Sequence, residues 1–137
     1  MRVKKGFTLI ELLFVMAIIS ILAGFAIVNL QDSTGVAIVN SMKNDARNAI
    51  STQQSWFAEN QVYDTVSCTE GVDDTNGQCI GENGEVFSIS KGNSLSSDTI
   101  TCDDGTAGLE VSVTNTQSAK IVTFNSCTDG AIQTNDI

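Results

Sequence analysis

The stretch MRVKKGFTLIELLFVMAIISILAGFAIVNL, residues 1–30, decides how the rest of the chain is read. From Phe7 to Val28 it runs for 22 residues in which only Thr8, Glu11 and Ser20 carry polar side chains. As a helix at about 1.5 Å per residue the run reaches about 33 Å, enough to cross a hydrocarbon core of about 30 Å. Glu11 is the anomaly. An acid in such a span costs roughly 2.5–3.5 kcal/mol at mid-helix and less near an end, so it calls for a function and a partner.

Charge gives the span a direction. Arg2, Lys4 and Lys5 precede the apolar run, whereas Gln31–Asn40 holds only Asp32, so the N-terminus is expected in the cytoplasm and the remainder outside. A cleaved secretory signal fits less well, because its apolar region is usually about 7–15 residues and ends at a small-residue cut site. Beyond Lys5, four basic residues stand against sixteen acidic ones, a balance of −12 within a total of −9. That excess keeps a domain soluble and argues against nucleic-acid binding.

Outside the apolar run about 110 residues remain, enough for one small core with little surplus stability. Four cysteines, Cys68, Cys79, Cys102 and Cys127, all follow the span. An even count in a small exported domain reads as two disulfides with three possible connectivities, of which the neighbour pairing Cys68–Cys79 and Cys102–Cys127 is favoured. Each closure is worth about 2–4 kcal/mol. Zinc is a poorer reading, since there is no C-x-x-C and no histidine.

Past QDSTG the pattern becomes amphipathic. Val39, Met42, Ala46, Ala49, Ile50, Trp56 and Phe57 recur at helical steps, with Lys43, Asn44, Arg47, Asn48 and Gln54 outward. No proline interrupts, so one long helix is expected from about Phe7 to Glu59. Residues 61–83 read as loop. VFSIS (86–90), LEVSVT (109–114) and KIVTFN (120–125) read as strands, with a short one at TITC (99–102) and a hairpin turn at NTQS (115–118). The expected fold is α+β, a long helix packed on a small antiparallel sheet.

At KKGFTLIELL the sequence resembles the prepilin signature of type IV pilins and pseudopilins: basic residues, Gly6, then Phe7, Thr8, Leu9, Ile10 and Glu11 leading a full span. AISTQQSWFAENQVY (49–63) is similar to the end of the long pilin helix, so the likeness covers about the first 63 residues. It implies a leader of residues 1–6, a transmembrane or filament-core segment 7–30, an amphipathic helix half 31–60 and a disulfide-bearing head 61–137. It implies cleavage between Gly6 and Phe7 by a prepilin peptidase, N-methylation of Phe7, and a pairing of Glu11 with a freed N-terminal ammonium during assembly. Two ions so paired offset part of each other's desolvation, which neither could bear alone.

The partners implied are further copies of the chain, the lipid bilayer before assembly, an inner-membrane platform protein and a cytoplasmic ATPase. The product would be a periplasmic or extracellular filament drawn from the inner membrane. Where many pilins carry glycine and proline, this chain has Ser20 and Val28, so helix flexibility is expected at Ser20–Gly24. Asp64 stands where a proline is frequent.

The leading expectation is a type IV pilus subunit. A type II secretion pseudopilin is the alternative, and a monomeric membrane-anchored binding domain a further one. Without histidine or a phosphate loop, no enzyme is expected. Asp73-Asp74-Thr75-Asn76-Gly77 and Asp103-Asp104-Gly105 invite calcium, but the ligand register is wrong and the same residues make turns. No cofactor or metal is expected. Phe7, Phe14 and Phe25 are read as packing groups rather than a conducting path.

Overall fold

The structure, a computed structural model, describes residues 7–69 and 76–137, the side chains of residues 27–33 excepted. Helix α1 (Leu9–Asn60) comes first. Strands β1 (Val66–Thr69), β2 (Gln78–Ile80), β3 (Val86–Ser88), β4 (Asn93–Thr101), β5 (Ala107–Asn115), β6 (Lys120–Asn125) and β7 (Ile132–Asp136) follow. The fold is α+β. The chain forms two compact units, Met1–Val36 and Ala37–Ile137, the second holding the core.

In the second unit α1 ends without glycine. Gln61 adopts a left-handed conformation at φ 60°, and its N–H donates to Phe57 O at 2.8 Å. The Asn60 and Gln61 side chains donate to Trp56 O at 3.1 Å and Phe57 O at 3.2 Å, adding second donors to carbonyls of the last turn. Phe57 stacks on Tyr63 at 4.5 Å between ring centroids, which turns the chain back toward the sheet.

The main sheet is antiparallel throughout, in the order β1-β4-β5-β6-β7. Alternation puts whole rows of side chains on the core face. Cys68, Leu95, Val113 and Val122 form one row of buried residues, and Val66, Ser97, Val111 and Phe124 the next. Met42, Ala46 and Ala49 from α1 are buried in the same core. Trp56, read from sequence as core, is half-buried.

Polar residues also sit in this core. Asp45 and Gln53 occupy the apolar stripe of α1 and are 3% and 0% exposed. Asp45 accepts hydrogen bonds from the Ser90 N–H and hydroxyl at 2.8 and 2.7 Å and from Asn93 Nδ2 at 2.6 Å. Asn93 in turn accepts from Asn115 Nδ2 at 2.7 Å. Gln53 donates to Asp64 O and to Ser97 Oγ and accepts from Asp64 N–H, the last two at 2.8 Å. Ser97 interrupts its apolar row where Gln53 reaches it.

Asp64 is fully buried and holds the turn after β2. Its Oδ1 accepts from Asn83 N–H and Nδ2, both at 2.9 Å, and its Oδ2 from Glu85 N–H at 3.1 Å. A Cβ on Gly81 would lie 2.1 Å from Asp64 Oδ2, so only glycine lets the carboxylate in. Where proline is frequent in the resembling family, this chain therefore has a residue that organises the loop.

The structure corrects the reading of residues 61–83 as loop, since β1 and β2 lie within them. Strand β3, expected at VFSIS, leaves the main sheet to pair with β2 in a two-stranded ribbon. TITC is the end of nine-residue β4. LEVSVT, KIVTFN and the NTQS turn stand as expected, the turn closed by Ser118 N–H on Asn115 O at 3.1 Å. β7 went unread because IQTND is mostly polar; as an edge strand it needs only one apolar face.

If the Asp64 pocket fixes this architecture, Asp64→Ala leaves two backbone N–H groups unpaired and costs about 2–4 kcal/mol. Gly81→Ala costs about 1–3 kcal/mol by overpacking. The two are coupled: Gly81→Ala should cost markedly less in the Asp64→Ala background, measured by urea unfolding of the full chain in detergent through Trp56 fluorescence. Strict additivity would show that the close approach carries no energy.

Candidate assembly site

Helix α1 begins with a cap built from Thr8-Leu9-Ile10-Glu11 in which the Glu11 carboxylate is the acceptor. Glu11 Oε2 accepts from the Thr8 N–H at 2.9 Å and from the Thr8 hydroxyl at 2.7 Å. Thr8 O accepts from the N–H groups of Glu11 and Leu12 at 3.2 and 3.3 Å, which starts the helical ladder. The spacing T-x-x-E is that of a capping box, in which the acid three residues on satisfies the cap residue's free N–H. A negative group in the first turn also opposes the helix dipole favourably. The sequence reading gave Glu11 an intermolecular task and missed this local one, although the spacing was legible.

Both bonds converge on Oε2, and among the described residues no hydrogen bond reaches Oε1. Glu11 lines an open notch of about 450 Å³ with Phe7, Ile10, Phe14 and Val15. Phe7 is 84% exposed and lies just ahead of the helix, and Gly6 lies outside the described residues. The other lining residues of the notch are apolar, so the Glu11 carboxylate is its one charged group among the described residues.

Leu9–Ala26 is helical, exposed throughout, and long and apolar enough to cross a membrane. Within it Ser20 and Gly24 are both helical. Ser20 Oγ donates to Met16 O at 2.8 Å, and a Cβ built on Gly24 meets nothing within 4 Å. Gly24 is thus not demanded by close packing within the subunit, and the Ser20 hydroxyl competes for a carbonyl of the helical ladder.

The disulfides are Cys68–Cys79 and Cys102–Cys127, with Cα atoms 6.1 and 5.2 Å apart. The first ties β1 to β2, the second the β4–β5 turn to the β6–β7 turn. A Cβ on Gly108 would lie 2.3 Å from Cys127 Sγ, so glycine there gives the second bridge its room. Of the calcium candidates, Asp73-Asp74-Thr75 lie outside the described residues. Asp104 Oδ1 is committed to its own turn, taking the Thr106 hydroxyl at 2.6 Å and N–H at 3.0 Å. Those bonds hold its carboxyl below the usual aspartate range, as the Ala131 N–H and Gln133 side chain do for Asp129 in the β6–β7 turn.

Residues 1–27 match the family model of the prokaryotic N-terminal methylation motif. Its N-terminal region is type IV pilin-like. Two fimbrial proteins of Pseudomonas aeruginosa are each 47% identical to this chain over 57 residues, covering 36% of it and 37% of each relative. The chain thus matches little more than a third of the length of these curated relatives. No solved structure matches it.

For this pilin-like start, the cap makes Thr8 the residue that orients Glu11. Thr8→Val removes the hydroxyl bond, keeps the N–H bond, and should weaken the first turn by about 1 kcal/mol, while Thr8→Ser should not. Carbon chemical shifts of residues 9–12 in detergent micelles would report the difference. Equal helicity in all three proteins would mean that the hydroxyl is idle.

Proposed function

We propose that this chain is a structural subunit of a type IV pilus. In this reading the leader is removed between Gly6 and Phe7 by a prepilin peptidase, Phe7 is N-methylated, and the protein is held in the inner membrane by its apolar helix. The N-terminus is cytoplasmic and the disulfide-bonded head lies outside. A platform protein and an ATPase then move the subunit into a homopolymer whose core is made of the helices.

One observation carries the reading: Glu11 sits in an apolar notch with one oxygen capped and, among the described residues, no hydrogen bond to the other. Cleavage at Gly6–Phe7 creates an ammonium four residues ahead of it. In a filament core that ammonium, from a neighbouring copy, is the donor the free oxygen lacks, and each ion offsets the other's desolvation. Side chains such as Leu12, Leu13, Ile18 and Ile21 exchange lipid for neighbouring helices with little net hydrophobic gain. The charge pair therefore supplies register that the apolar surface cannot. The N-methylation motif and the fimbrial relatives support the structural role. The two disulfides, with Asp104 spent on its own turn, favour a pilus over a secretion pseudopilus.

Glu11→Gln retains an oxygen for the cap but loses the charge, so sheared surface filaments should fall at least about tenfold, the loss of one buried charge pair per junction. Mass spectrometry of the wild-type protein should show a chain beginning at methylated Phe7. Normal filament yield from Glu11→Gln would overturn the register role. Deleting the gene should abolish surface filaments and leave exoprotein release intact; the reverse pattern would favour the pseudopilus.

The helix should also open on assembly around Ser20–Gly24, where a serine hydroxyl competes for the ladder and a glycine lacks packing partners. A filament map would reveal the opening as broken helical density there, and unbroken helix through Gly24 would refute it.

A further inference from the structure

The second unit carries an apolar knob and an apolar hole on different elements. The knob is the β2–β3 ribbon. Its inner pair, Cys79 and Phe87, is buried, while its outer pair, Ile80 and Val86, stands directly opposed at 65% and 46% exposure. Glu82 and Glu85 flank this pair on the connecting turn. The turn is rigid: Gly81 N–H donates to Glu85 O at 2.8 Å, and Asp64 holds Asn83 and Glu85 from beneath. A knob already fixed in shape loses little entropy on docking.

The hole is a cleft of about 500 Å³ between α1 and the β6–β7 edge. Phe124 is buried in its floor beside half-buried Ile50 and Ile132, and exposed Arg47, Gln54 and Ser126 form its rim. Arg47 touches only Asn44 Oδ1, at 3.2 Å, and has no carboxylate partner among the described residues. The nearby Asp129 is taken up by Ala131 and Gln133. Between buried Asp45 and Glu59 the helix carries no acid, so this face is the cationic exception on an acidic head.

We propose that the Ile80–Val86 knob of one copy seats in the Arg47 cleft of the next, with Glu82 and Glu85 against Arg47. Heads this acidic repel one another, so a contact that matches an apolar pair to the cleft-rim cation Arg47 is favoured over the acidic faces. Knob and hole differ, so the contact is heterologous and passes from copy to copy rather than closing a two-fold pair. The contact rests on the filament reading above and supplies the head-to-head register that the apolar helices do not.

The test is a charge swap in the full chain. Arg47→Glu alone, and Glu82→Lys with Glu85→Lys alone, should each lower sheared-filament yield by about fivefold or more, as for a contact pair turned repulsive. The triple variant should recover to within about twofold of wild type, because the pair is restored in reverse. Cleaved subunit should accumulate normally in the membrane in every case. Should a charge variant fail to accumulate, Arg47→Gln and Ile80→Ser take its place, each expected to lower yield. Wild-type yield from the single-site variants, or no recovery in the triple, would overturn the contact and mean that the cleft receives something else or nothing. Absence of filaments from the wild type would instead sink the filament reading itself.

Discussion

A carboxylate must find donors wherever water leaves it, and this chain supplies them from neighbouring N–H and O–H groups three times. Asp45 and Asp64 are buried, and Glu11 is exposed in the single subunit. Glu11 is met by the N–H and hydroxyl of Thr8. Asp45 is met by Ser90 and Asn93, and Asp64 by Asn83 and Glu85. Each arrangement fixes a piece of geometry: the start of the helix, its seat on the sheet, and the turn that carries the ribbon. Leaving any of these donors unpaired would cost about 1–3 kcal/mol, a large share of what so small a core can spare.

The solutions differ in completeness, and the difference carries the functional argument. Asp45 and Asp64 use both oxygens inside their own subunit. Glu11 uses one. A half-satisfied acid is tolerable where water or a bilayer surface can reach it and unfavourable in a dry filament core unless another molecule supplies the missing donor. In the proposed filament that asymmetry would make the acid a registry device, with the freed amino terminus of a second copy as the donor whose charge matches it.

The head needs more than its apolar rows to stay folded. Four residues of β1 and three of β2 are short elements with little surface of their own, and the Cys68–Cys79 bridge joins them. The Cys102–Cys127 bridge closes the turns at one end of the sheet, where Asp104 and Asp129 cap their own loops. Cross-links of this kind stabilise chiefly by restricting the unfolded chain, which suits an exported protein with an oxidising destination.

Local pattern determined much of this protein. Apolar length gave the membrane-competent run, three- and four-residue spacing gave the extent of α1, and alternation gave β5 and β6 with their turn. T-x-x-E was equally local and could have been read. What spacing could not give was the choice of distant partners. Asp45 binds a residue 48 positions away and Gln53 one 44 away; in the sequence both look like polar interruptions of an apolar stripe. Asp64, Gly81 and Gly108 are likewise explained only by what packs against them. Three cysteine pairings were open until the strands set two Cα separations near bridging distance. Periodicity is a property of neighbours along the chain, whereas hydrogen-bond partners, close approaches and bridges between strands exist only once the sheet has brought remote segments together.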